Sequence, residues 1–254
     1  MALVFLPRFR DLTPVVLGKG ILMGVLLFLL FTGLVIGVNH TTASTAGFLA
    51  STTVIIVPIL ESVLKRRLPN KSIMFSITLA IIGLFLLTVK DTLGLDKGAA
   101  YCLFAALFYA IYIIVLDRIA KKEDTLLISI IQLGVASLLG IVFMLCFETP
   151  SLPQTPPQWG AILGLGIICS AYGFVVQPIA QRYTSSEKIG LIFSLEPVFS
   201  SLLSFLFLHE VLSVKGYIGA ALILSGIVLS KGIKPKAIPV VSGEVISHST
   251  LDKR

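Results

Sequence analysis

The stretch SLEPVFSSLL, residues 194–203, places a glutamate and a proline inside an apolar run. A carboxylate near the middle of a bilayer costs roughly 2.5 to 3.5 kcal/mol on insertion scales, so Glu196 needs a use. Two uses fit. Either Glu196 contacts a substrate or carries a proton, or it is a structural carboxylate bonded to a neighbouring helix at a kink. Pro197 permits that kink because it frees a carbonyl in the preceding turn. The serines at 194, 200, 201 and 204 allow close helix approach or line a wet pathway.

Other polar side chains sit within apolar runs. Tyr109 and Tyr112 share a helix face at i and i+3, and Gln132 and Tyr172 also lie away from the ends of their runs. Together they could stack on and hydrogen-bond a small amphiphilic metabolite. Alternatively, each makes an interhelical hydrogen bond. Gln177 and Pro178, adjacent near one end of their run, and Pro58 and Pro197 are candidate gate or hinge residues. Glu61 precedes Lys65 by four residues, a spacing that suits a surface ion pair. His209 and Glu210 are adjacent and share no helix face, and no second His or Cys stands at ligand spacing, so neither a metal nor another cofactor is expected. The histidines at 40, 209 and 248 fall in loops or the tail, which leaves no constellation for a membrane enzyme.

The elements that must position these residues are membrane helices. The chain has 254 residues, 56% hydrophobic and 13% charged, with a mean hydropathy of +1.00, far from soluble-domain averages. Its net charge of +7 does not point to nucleic acid, because the basic residues stand in short breaks between apolar runs. Cys102, Cys146 and Cys169 lie within apolar runs and read as buried free thiols. MALVFL is too short for the apolar region of a cleavable leader.

Windows near 20 residues predict eight spans: Gly20–Val38, Thr41–Leu60, Ser72–Val89, Gly98–Leu116, Thr125–Phe147, Gln158–Ala180, Ile189–Leu208 and Val211–Ser230. Gly20 with Gly24, Gly33 with Gly37, and Gly160 with Gly164 are expected close-packing faces. Fifteen Lys and Arg fall on the side that holds the N-terminus, against Lys90, Lys97 and Lys215 on the other. Both termini are therefore expected in the cytoplasm. Residues 232–254 turn polar and read as a flexible cytoplasmic tail.

An internal repeat runs through this pattern. Gly47 and Gly190, Ser51 and Ser194, and Gly83 and Gly226 are each 143 positions apart, and Thr53, a further candidate substrate contact, stands where Glu196 does. The loop LKRRLP after the first copy falls inside, whereas its counterpart LHEVLS falls outside, so the copies are inverted. Inverted repeats meeting at the midplane are an architecture of secondary transporters.

SSEKIGLIFSLEPVFSSLLSFLFLHEVLSVKGYIGAALILSGIVL resembles the last two helices of EamA-like proteins of the drug/metabolite transporter (DMT) superfamily, and TTASTAGFLASTTVIIVPIL resembles the matching segment of their first half. The resemblance implies an all-α integral membrane protein, an inverted-repeat helical bundle with three plus five of the family's five plus five helices. The first helix and most of the second are not matched. Residues 1–96 would be an incomplete first repeat and 97–231 the second.

The function expected from this is secondary transport of small organic metabolites or drugs across the cell (cytoplasmic) membrane, by export or exchange, with a coupling proton or other ion as a candidate partner. The alternative is a truncated, non-transporting remnant or an accessory membrane subunit. The expected partners are a small-molecule substrate and the lipid bilayer.

Overall fold

The computed structural model describes residues 12–64, 66, 71–88, 97–183, 196–209 and 211–231. The expectations for the 232–254 tail and for a Glu61–Lys65 pair fall outside these residues. Every described element is helical: α1 (Pro14–Val38), α2 (Ala43–Ser51), α3 (Thr53–Leu64), α4 (Lys71–Thr88), α5 (Lys97–Ala120), α6 (Thr125–Phe147), α7 (Pro156–Leu163), a π-helical stretch (Gly164–Tyr172), α8 (Gly173–Tyr183), α9 (Glu196–Leu208) and α10 (Val214–Lys231).

Five of the eight expected spans are long and apolar enough to cross a membrane: Pro14–Val38, Ala43–Leu64, Lys97–Ala120, Thr125–Phe147 and Pro156–Tyr183. Shorter apolar helices cover Met74–Gly83 in α4 and Val214–Gly226 in α10. The seventh expected span is described only from Glu196 onward, as α9.

Local chemistry sets the boundaries. Thr13 caps α1 by accepting from the Val16 N–H at 3.3 Å, with Pro14 in the first turn, where a missing N–H costs nothing. Asp124 caps α6 by accepting from Leu126 N at 2.9 Å and Leu127 N at 3.5 Å. Within the second span the chain turns at Thr52, where the Thr52 and Thr53 hydroxyls donate to the carbonyls of Leu49 and Ala50, each at 2.6 Å. Those hydroxyls meet a carbonyl demand that lipid cannot. His209, at φ 53°, follows the last residue of α9 as a left-handed terminator.

Lipid offers helices little hydrophobic drive to associate, so close packing must hold them together. The main core gathers Met23, Leu27 and Leu30 of α1 with Tyr112 and Leu116 of α5 and Leu127 and Ile128 of α6. Glycines on α1 make the approach possible. A methyl at Gly20 would meet the Ile131 side chain at 2.5 Å, one at Gly24 the Val135 side chain at 2.6 Å, and one at Gly37 would collide with Cys102. At the basic end of the same trio, Lys19 Nζ pairs with Glu123 Oε1 at 2.5 Å and ties α1 to the α5–α6 turn.

A second contact joins α4 to α10. Lys71 and Val214 are 143 positions apart, as are Thr88 and Lys231, so the two helices have equal length and the spacing of the sequence repeat. Gly83 lies against the backbone of α10, where an added methyl would come within 2.5 Å of the Gly219 carbonyl. On α9, Ser200 fills the space over Gly47 of α2 and donates to the Ala43 carbonyl at 3.3 Å.

Two expectations are corrected. Among the described residues Gly160 and Gly164 have no packing partner: no atom of another element lies within 4 Å of a methyl built on either. The window within Pro156–Tyr183 is 6% buried, against 39% within Pro14–Val38. Of the three cysteines only Cys102 is buried, since Cys146 and Cys169 point away from the packed helices.

These contacts predict that Gly83→Val destabilises the purified protein by about 1–3 kcal/mol, because backbone cannot yield as a side chain would. Gly164→Ala leaves the thermal midpoint in detergent unchanged within about 0.5 kcal/mol. Thermal unfolding of the two variants in parallel checks both.

Candidate functional site

Pro178 is the place from which the site is built. A proline inside a helix cannot donate to the carbonyl four residues back, which here is that of Phe174. Gln132, reaching across from α6, donates its Nε2 to the Phe174 carbonyl at 3.1 Å. Its Oε1 accepts from the Tyr112 hydroxyl of α5 at 3.1 Å. Both Gln132 and Tyr112 are fully buried, and the Tyr112 ring meets Phe174 edge-on with centroids 6.0 Å apart. One freed carbonyl thus fastens α5, α6 and α8 together.

Beside this dry bridge lies a wetter group. Tyr109 stands on α5 next to Tyr112, ring centroids 6.1 Å apart and 33° from parallel, and it is only half-buried. Its hydroxyl is hydrogen-bonded to the Gln177 side chain, and Glu196 lies within electrostatic reach of it. Glu196 is the first residue of α9 and is exposed rather than packed. Three helices, α5, α8 and α9, therefore bring a phenol, an amide and a carboxylate to one place. Such a group can hydrogen-bond a polar ligand, stack on its rings and answer a positive charge.

The other expected residues are placed differently. Thr53 is buried and donates to the Ala50 carbonyl at 2.6 Å and the Ala106 carbonyl at 3.1 Å, so its hydroxyl ties α3 to α5. Tyr172 closes the π-helical stretch at 64% exposure, away from the Tyr109 group. Pro58 is half-buried within α3, and its carbonyl accepts from Ser62 at 2.7 Å. Pro197 is the second residue of α9. Pro178 is buried on the inward face of α8.

Two features were not foreseen. Gln181, one turn beyond Gln177, is fully buried with its amide, and the only sign of it in the sequence is the i, i+4 spacing of two glutamines. The π-helical stretch is the other: the Gly173 N–H reaches back five residues to the Ile168 carbonyl. Its glycines hint at a loosened helix without indicating which kind. Among the described residues no group of three metal-ligating side chains forms.

A helical bundle with five helices long and apolar enough to cross a membrane, and a few polar side chains bonded between them, defines a multi-pass membrane protein. The chain matches the EamA-like transporter family over residues 1–89 and 96–231, and it belongs to that family, within the DMT superfamily. An uncharacterized transporter of Archaeoglobus fulgidus is 28% identical over 210 residues, which is 83% of this chain and 67% of that protein. The uncharacterized transporter YetK of Bacillus subtilis is 26% identical over 234 residues, 86% of this chain and 69% of its own. A solved crystal structure shares the fold, with a TM-score of 0.59 and 18% identity over 85% of this chain and 84% of that one. The chain is a membrane transporter.

Loss of the bridge should register as stability. Gln132→Leu orphans both the Phe174 carbonyl and the Tyr112 hydroxyl and should cost about 1–2 kcal/mol, whereas Tyr112→Phe breaks one bond and should cost less. Thermal midpoints of the detergent-purified variants give the order.

Proposed function

We propose that the protein is a secondary transporter that moves small organic metabolites or drugs across the cytoplasmic membrane by alternating access, as an exporter or exchanger. One observation carries the reading: Tyr109, Gln177 and Glu196, from three different helices, meet where Glu196 stays exposed. A carboxylate left unpacked beside a phenol and an amide in so apolar a chain suits a substrate contact or a coupled proton. Tyr109 and Gln177 are the other substrate contacts, with Tyr112 and Gln132 as the rigid wall behind them. Pro197 at the start of α9 and Pro178 within α8 serve as hinges of the elements that carry the group, and Pro58 within α3 does so in the first half.

The two halves are residues 1–96 and 97–231, inverted with respect to each other, with both termini in the cytoplasm. The equal bounds of α4 and α10 at the repeat spacing support the pairing. A second reading, an accessory or non-transporting membrane subunit, is supported by the uncovered face of α7 and the π-helical stretch.

The test is uptake into proteoliposomes that contain the purified chain, run with a panel of small metabolites under an imposed proton gradient. Gradient-driven transport of at least one compound is expected, reduced 10-fold or more by Glu196→Gln. Equal coupled transport by Glu196→Gln removes the carboxylate from the mechanism. Folded protein that moves no compound supports the subunit reading.

A further inference from the structure

Three glutamines reach into this bundle, and they are not alike. Gln132 has both amide atoms paired. Gln177 bonds Tyr109 and has a buried Nε2 with no partner, and Gln181, fully buried, has no partner for Nε2 or Oε1 among the described residues. An amide buried with nothing to bond gives up its hydration without return. Three orphaned atoms in successive turns of one helix face would be a heavy load for a single segment to carry dry.

The geometry suits water. Side chains at i and i+4 on a helix stand about 5–6 Å apart at Cβ, and two hydrogen bonds of about 2.9 Å through one water span such a gap. Gln177 Nε2 offers a donor, while Gln181 offers an acceptor and a second donor, which supplies the polar partners that a buried water requires. One end of this row is the Tyr109 hydroxyl, next to Glu196. At the other end, Ile179, Arg182 and Tyr183, neighbours of Gln181 in sequence, line an open cavity of about 480 Å³ whose other side is the α5–α6 turn at Lys122–Leu126. That cavity opens at the basic end of the bundle, close to the Lys19–Glu123 pair.

We propose that Gln177 and Gln181 hold a file of water that joins the Tyr109–Glu196 group to the cavity beneath the α5–α6 turn. The file gives the site a polar route along α8 toward the basic end of the bundle. Its use as a path for protons or solvent rests on the transport reading, but the bound water does not.

Radiolytic footprinting of the reconstituted protein by a brief X-ray pulse, read by mass spectrometry, tests the proposal without any substrate. Radicals born from ordered water mark the side chains beside it. With labelling normalised to each side chain's intrinsic reactivity toward hydroxyl radical, Pro178, buried from bulk solvent, is expected to be labelled at least 5-fold more than Tyr112, which is equally buried but sits on the dry bridge. Gln181→Leu is expected to cut Pro178 labelling at least 3-fold and leave the thermal midpoint level or lower. Pro178 as silent as Tyr112 in the wild-type chain overturns the proposal, and that arm needs no variant to fold. A higher midpoint for Gln181→Leu with unchanged labelling also overturns it, because removal of a dry orphan amide stabilises. Labelled Pro178 in a protein that transports nothing keeps the water file and discards the transport reading.

Discussion

A proline inside a membrane helix leaves one carbonyl without a partner, and lipid has nothing to offer it. In this bundle the repair of that carbonyl is also the fastening of the bundle. Gln132 answers Phe174 with one end of its amide and Tyr112 with the other, so α5, α6 and α8 are held by two hydrogen bonds that share a side chain. The polar group around Tyr109 is positioned by this arrangement. Tyr109 sits one turn before Tyr112 on α5, and Gln177 sits one residue before Pro178 on α8. Fixing Tyr112 and Phe174 therefore fixes the spacing across which Tyr109 and Gln177 meet.

Around that hydrogen-bonded centre the helices are held by shape. Gly20, Gly24 and Gly37 bring α1 onto α5 and α6, and Gly83 brings α4 onto the backbone of α10. A chain with so little charge has few other means, and Lys19–Glu123 and Lys121–Asp117 lie at the basic end. The result is a division of labour. Side chains without hydrogen-bond demands set the distances between helices, and the few with such demands set their rotation.

Much of this was legible in the residues. Glycine spacing foretold the α1 interfaces because a GxxxG face can be read one helix at a time. It misled at Gly160 and Gly164, where the motif is present and no described helix covers it; a motif shows what a face can do and not what lies opposite. Tyr109, Gln177 and Glu196 stood out because polar groups in apolar runs are costly, and the structure brings those three together. Tyr172 carried the same signal and faces outward, since the widened turns before it shift the register that a 3.6-residue period assumes. Gln132 was visible as polar, but its partner was not, because an empty carbonyl on another helix leaves no mark beyond the proline that made it.

The pairing of α4 with α10 has a consequence in time. Their equivalent residues are separated by 143 positions, and ribosomes add about 5–20 residues per second, so α4 is synthesised on the order of 10 s before its partner exists. Throughout that interval the Gly83 face is open to any other helix in the membrane. The order of synthesis thus leaves α4 waiting for α10, and insertion factors that hold such a face would govern how much chain matures.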